Sequence, residues 1–225
     1  MNTASGMVEK VVEPERRRAP PEPVYRPGPV PANTFWHAGQ VSPERRQERA
    51  GLAPATVWLT GLSGAGKSTI AYALEAMLHE AGRSSYVLDG DNLRHSLNRD
   101  LGFSPADRKE NMRRTAEVAR MMNEAGLIVI AAFISPYRED RAMAAAIVGV
   151  DDFIEVHVST STAVCEERDP KGLYAKARSG LIPGFTGISS PYEAPLYPAL
   201  DLDTGAMPLD QATETLYRYL ARRFF

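Results

Sequence analysis

The sequence predicts a three-layer α/β fold, with a mostly parallel central sheet flanked by helices. Three observations carry that expectation. From Thr56 onward, short apolar runs alternate with longer stretches of helical periodicity. The changeovers fall at glycine, proline or small polar residues, where a strand gives way to a turn and the turn to a helix. One run, "LIVIAAFI" (127–134), is apolar at every position, as a strand covered by helices on both faces must be. Repeated βα units build parallel sheets, because parallel neighbours need a crossover connection.

The elements follow in order. Residues 1–32 are a different material: "EPERRRAPPEPVYRPGPVP" mixes charges with prolines and holds few large apolar groups. Such a segment cannot bury enough surface to offset its chain entropy, so a disordered extension with polyproline II character is expected there. A folded domain is expected over 33–225. "ERRQERAG" (44–51) predicts a short helix closed by Gly51. "TVWLT" predicts a strand, and "STIAYALEAMLHEAG" a helix with Ile70, Leu74, Met77 and Leu78 on one face and a stop at Gly82. "SSYVLD" is a second strand. The next helix opens with Ser104 as N-cap, Pro105 in the first turn and Asp107 three residues after the cap, and closes at Gly126. "LIVIAAFI", "SPYREDRAMAAAIVG", "DFIEVHVST" and "TAVCEERD" read as strand, helix, strand and helix. A final helix places Leu209, Ala212, Leu216 and Leu220 on one face. The stretch "CEERDPKGLYAKARSGLIPGFTGISSPYEAP" is rich in cations, glycine and aromatics and predicts a mobile lid.

Composition narrows the function classes. The chain has 225 residues with 26 Lys plus Arg against 28 Asp plus Glu, so no broad basic surface for nucleic acid is expected. No apolar run is long enough for a membrane helix. The single cysteine rules out an internal disulfide framework. The N-terminus carries charges where a secretory signal needs its apolar centre. A cytoplasmic protein is expected.

Two motifs carry chemistry. "GLSGAGKS" (61–68) fits G-x-x-x-x-G-K-[ST] and sits between a strand and an amphipathic helix, which predicts a P-loop NTPase-type fold. Its glycines let successive N–H groups point into one anion site at a helix N-terminus. Lys67 then reaches the β- and γ-phosphates, and the Ser68 hydroxyl ligates Mg²⁺. The second motif is "YVLDGDNLRHSL" (86–97), where Asp89 and Asp91 end a strand and Asn92 and Arg94 follow. In a parallel α/β fold that strand tip faces the ligand crevice. One carboxylate can hold Mg²⁺ through water, and the other can take a proton from an attacking hydroxyl. Arg108, Asn111 and Arg114 fall near one helical face and would serve an anionic acceptor.

The strings "GLSGAGKST", "LDGDN.RH", "LGFS..DR.EN.RR", "FISPYR", "RDPKGLY" and "FTGI..PYE.P" occur in the order seen in adenylylsulfate (APS) kinases, which the chain resembles from about Asn33 to its C-terminus. The resemblance implies transfer of the γ-phosphate of ATP to the 3′-hydroxyl of adenylyl sulfate, with Mg²⁺ as cofactor. The products would be PAPS and ADP, in sulfate assimilation. Another P-loop kinase acting on a nucleotide or sugar is the alternative. By similarity, ATP contacts Gly61, Leu62, Ser63, Gly64, Ala65, Gly66, Lys67, Ser68, Thr69 and Arg168. Asp91 is the candidate base, with Asp89 as helper and ligand of Mg²⁺-bound water, the assignment between the two staying open. Gly90 and Asn92 adjoin the acceptor. Arg94, Arg108 and Asn111 hold the phosphosulfate. Phe103 and Phe185 sandwich its adenine, with Ile134, Lys171 and Gly184 close by. Ser135 corresponds to a serine described in the family as a phosphorylated intermediate. Its place before Pro136 and a helix instead predicts an N-cap, since in-line transfer needs no serine carrier. A homodimer is implied by the same resemblance.

Overall fold

The computed structural model describes residues 31–225 apart from Leu52. The proline-rich extension expected over residues 1–32 lies, up to residue 30, outside the described residues. Five parallel strands form one sheet in the order β2-β3-β1-β4-β5. They are β1 (Ala55–Thr60), β2 (Ser85–Asp89), β3 (Ile128–Phe133), β4 (Phe153–His157) and β5 (Leu200–Asp201). β3 lies between β2 and β1, and all six of its residues are buried, as its unbroken apolar run predicts.

The helices divide between the two faces of the sheet according to the strand period of two. Val57, Leu59, Ile128 and Ile130 join Ile70, Ala71, Leu74 and Leu78 of α2 (Lys67–Glu80) and Ala212, Leu216 and Leu220 of α8 (Leu209–Phe224). Trp58, Val129, Ala131 and Phe133 face the other way. They pack on Met112, Ala116 and Ala119 of α4 (Pro105–Glu124) and on Ala144, Ile147 and Val148 of α5 (Arg138–Val148). Trp58 anchors this second layer, stacked on Phe133 at 5.4 Å between ring centroids.

Local chemistry sets the helix ends. Ser104 Oγ accepts the Asp107 N–H at 3.1 Å, and Pro105 follows in the first turn, so α4 begins where its cap predicts. The short helix α1 (Pro43–Ala50) is capped by Ser42 and ended by Gly51 at φ 63°. Arg83 holds it in place by donating to Gly51 O at 2.8 Å.

One expectation changes. Leu209, assigned to the buried face of the last helix, is 41% exposed, and Thr213 is buried in that face instead. The edge strand β5 has only two residues, too short for any periodicity to show.

Candidate active site

The site lies at the carboxyl ends of the strands. After β1 the chain turns through Gly61 at φ 156°, where a Cβ would stand 2.4 Å from Val158 O; at Gly64 it would stand 2.9 Å from Cys165 O. Only glycine permits both the conformation and the approach. α2 then starts at Lys67 with no side-chain cap and no acid in its first turn. Its leading N–H groups are thus left for an anion, the arrangement that phosphate loops use. Lys67 is 8% exposed and donates to Leu62 O at 2.7 Å. Burial, the main cause, holds its ammonium down to about 8.

The two acids of the second motif separate in their surroundings. Asp89 is buried, and both its oxygens are engaged. Oδ2 accepts Ser68 Oγ at 2.6 Å, while Oδ1 accepts the N–H groups of Asp91 (3.0 Å) and Asn92 (3.2 Å). Asp89 therefore caps the one-turn helix α3 (Gly90–Arg94) and ties it to the phosphate loop, although β2 and β1 are not adjacent strands. Asp91 is exposed, and its Oδ2 pairs with Lys171 Nζ. Asn92 Nδ2 donates to Tyr72 Oη at 2.9 Å.

Beyond α3 the chain folds into a clamped turn. Arg94 Nη1 donates to Leu101 O and Gly102 O at 3.0 and 2.7 Å, and its guanidinium lies 4.4 Å from the centre of the Phe103 ring. Arg108 donates from Nε to Phe103 O (2.9 Å), from Nη1 to Thr186 Oγ1 (2.9 Å) and from Nη2 to Gly184 O (3.0 Å). One guanidinium thereby joins the loops carrying Phe103 and Phe185. The acidity of Arg94 is raised by burial and then by the nearby Arg108, so two cations stand close together here. Phe103 is 68% exposed, whereas Phe185 is buried and meets Tyr174 edge-on at 5.0 Å. Arg114, expected beside Arg108 and Asn111, instead braces the turn by a two-point bond to Asp100 at 2.8 and 2.9 Å.

Ser135 does not cap a helix. α5 starts at Arg138 with Tyr137 in the cap position. Ser135 sits at the tip of β3 with φ 41°; its Oγ accepts Trp58 Nε1 at 3.2 Å and its carbonyl accepts Arg141 Nη1 at 2.7 Å. Thr60 Oγ1 donates to the carbonyl of the half-buried Ile134 at 2.8 Å. These long-range bonds clamp the backbone before Pro136, and the helix starts two residues later than the cap rule predicts.

The cation-rich segment contains α6 (Thr162–Arg168) and α7 (Leu173–Arg178). Tyr174 is buried and its hydroxyl donates to Ser63 O at 2.9 Å, which anchors α7 on the phosphate loop. Arg168 donates to Thr204 Oγ1 and Thr204 O at 2.8 and 2.6 Å, and Thr204 Oγ1 donates to Ala65 O at 2.9 Å. Thr204 follows β5 and was missed in the sequence, as were Tyr72 and Thr186. Thr204 and Tyr72 sit in segments without a motif of their own, while Thr186 lies within "FTGI" but carries no chemistry that local spacing would single out.

The adenylylsulphate kinase family model matches residues 53–203. The chain belongs to that family. An adenylyl-sulfate kinase of Shewanella baltica is 57% identical over 188 residues, 84% of this chain and 92% of that protein. The Mycobacterium tuberculosis APS kinase in complex with AMPPNP and APS superposes with a TM-score of 0.73 at 50% identity, covering 75% of this chain and 98% of that one. A hexameric APS kinase from Thiobacillus denitrificans is 35% identical with a TM-score of 0.59, covering 79% of this chain and 30% of that one.

As an adenylylsulphate kinase family member, the chain is a P-loop kinase, a transferase with a nucleotide-binding loop. Its donors at the loop suit Mg²⁺: the Ser68 hydroxyl and the Asp89 carboxylate are hard oxygens 2.6 Å apart. Among the described residues, no group of three or more His, Cys, Asp or Glu could hold a metal. Mg²⁺ needs no such cage, since it takes one or two protein oxygens along with phosphate and water.

Proposed function

We propose that the chain transfers the γ-phosphate of ATP to the ribose 3′-hydroxyl of adenylyl sulfate, giving ADP and PAPS for sulfate assimilation. The observation that carries this reading is the division between the two acids. Asp89 has both oxygens committed, to Ser68 and to the start of α3, while Asp91 stands exposed at the mouth of the phosphate loop. The Asp89 oxygens are already met by three donors, which leaves the exposed Asp91 to meet an acceptor hydroxyl. Asp91 therefore takes the hydroxyl proton, and Asp89 with Ser68 would hold Mg²⁺ directly or through water. When bound, the ion would neutralise charge on the β- and γ-phosphates.

The other roles follow from placement. The N–H groups at the start of α2 and the Lys67 ammonium grip the phosphates. Lys67 then releases Leu62 O, a bond that phosphate oxygens replace. Lys171 pairs with Asp91 and holds its carboxylate in position. Arg94, Arg108 and Asn111 supply donors for the phosphosulfate, and Phe103 offers an exposed ring face to the adenine. Phe185, seated in the core with Gly184 bonded to Arg108, braces the opposite side with Ile134, while Gly90 and Asn92 shape the floor. Arg168 steadies the loop end through Thr204. The exposed stretch from Arg178 to Leu181 supports closure of a lid over both substrates. A direct in-line transfer leaves Ser135 unmodified.

The same reading takes 33–225 as the kinase domain; the docking of α1 on the folded body, ahead of the family match, supports a domain that starts before residue 53. Self-association as a homodimer and a cytoplasmic location belong to the same reading. No described helix is long and apolar enough to cross a membrane. The function is tested by incubating purified protein with ATP, Mg²⁺ and adenylyl sulfate and identifying the product by ³¹P NMR. A new 3′-phosphomonoester supports it; phosphate appearing on another position, or on no acceptor, overturns it.

A further inference from the structure

We infer that Asn98 is a positioning residue that sets the donor polarity of the acceptor site by orienting the amide of Asn111. The inference rests on the proposed function, in which Asn111 faces an anionic acceptor.

Asn98 is fully buried in the turn between α3 and α4. Its backbone fixes it there: its N–H donates to Leu93 O at 2.8 Å, and its carbonyl accepts the Leu101 N–H at 3.1 Å. Its side-chain Nδ2 donates to Asn111 Oδ1 at 2.7 Å. Asn111 is 3% exposed and lies one helical turn after Arg108 on α4. With its oxygen taken by Asn98, Asn111 has only N–H left to offer, and among the described residues its Nδ2 has no partner. An anion needs donors, and an amide turned the other way would present an oxygen to it.

The pair is not arranged for stability. Asn98 Oδ1 is buried without a hydrogen-bond partner among the described residues. A buried polar atom left in that state is destabilising, and two apolar side chains would fill the space at less cost. What the pair provides is orientation. It also links the segment carrying Asp91 and Arg94 to the helix carrying Arg108 and Asn111.

The test compares wild type, Asn98→Asp, Asn98→Ala, Asn111→Ala and the Asn98→Ala/Asn111→Ala double variant. Initial rates give KM for adenylyl sulfate and for ATP, and thermal unfolding is recorded for each. An aspartate at 98 only accepts, so it turns the Asn111 amide around. KM for adenylyl sulfate then rises about tenfold with KM for ATP unchanged. Asn98→Ala frees the amide and gives a smaller rise, about threefold, which decides the matter if Asn98→Asp does not fold. In the Asn111→Ala background, Asn98→Ala has no further effect on KM for adenylyl sulfate, since the amide it orients is gone. Unchanged KM for adenylyl sulfate in the folded Asn98 variants overturns the inference alone. The same follows if Asn98→Ala acts equally in both backgrounds. A wild type that does not turn over adenylyl sulfate at all overturns the proposed function and this inference with it.

Discussion

Ser135 is 3% exposed and its Oγ is bonded to the Trp58 indole, so it faces the core and not a phosphate. Ser135→Ala should keep kcat within about threefold while costing about 1 kcal/mol of stability, because the buried Trp58 N–H loses its acceptor. Steady-state kinetics and a denaturant titration measure the two. A fall in kcat on the order of 10³ in a folded variant, with phosphoserine recovered from the wild type, would establish a covalent carrier. Lys67 gives a second test at this scale. Its folded-state pKa, about 8, lies below the ordinary lysine value of 10.5. Between those values the unfolded chain binds the extra proton. From this group alone, the stability of nucleotide-free protein therefore rises with pH across that window and falls as pH drops through about 8. Phosphates restore the charge, so ATP binding above pH 8 should take up a proton. Calorimetry in buffers of different ionisation heat would show it as a buffer-dependent enthalpy, and equal heats would contradict it.

Among the elements, α4 carries two jobs, packing the second core layer and presenting Arg108 and Asn111. Its start depends on Ser104, which accepts the Asp107 N–H and donates to Asp107 Oδ2 at 2.8 Å. Ser104→Ala should cost about 1 kcal/mol. It should also raise KM for the acceptor more than KM for ATP, since Arg108 sits in the first turn. Equal changes in both would place the cap outside the acceptor site. Legibility differs sharply between elements. The phosphate loop and the caps of α1 and α4 could be read because their chemistry is local, within four residues of chain. α3 and β5 could not: each is too short for periodicity, and each exists because something distant holds it. Asp89 is held by Ser68, and β5 by pairing with β4. Ser135 was misread for the same reason. A serine before proline is a good cap by local rules, but Thr60 and Arg141 hold its carbonyl and move the helix start.

Across the whole molecule, one buried cation ties the parts together. Arg141 is 2% exposed and donates to Glu155 Oε1 at 2.6 Å, Ser135 O at 2.7 Å and Glu193 O at 2.7 Å. It joins α5, β4, the tip of β3 and the loop that returns from the acceptor side. Arg141→Met leaves a carboxylate and two carbonyls short of a donor and should cost about 3 kcal/mol, roughly 10 °C in Tm for a chain of this size. A change below about 1 kcal/mol would show that water replaces it without loss. No sequence pattern marks Arg141, since its partners lie in three other segments. The paired acids were visible in the sequence, but the different contacts of the two were not. Those contacts needed β3 between β1 and β2, with Ser68 still reaching Asp89 across the gap.

The division of roles proposed for Asp89 and Asp91 is the central claim, and ADP release tests it most directly. Wild type and Asp91→Asn are compared with ATP and Mg²⁺, alone and with adenylyl sulfate, AMP, adenosine or gluconate. Of these acceptors, only adenylyl sulfate should bring about ADP formation. In Asp91→Asn, kcat falls by about 10² to 10⁴ while ATP binding persists. A preference for another acceptor, or an Asp91→Asn variant as fast as wild type, would contradict it.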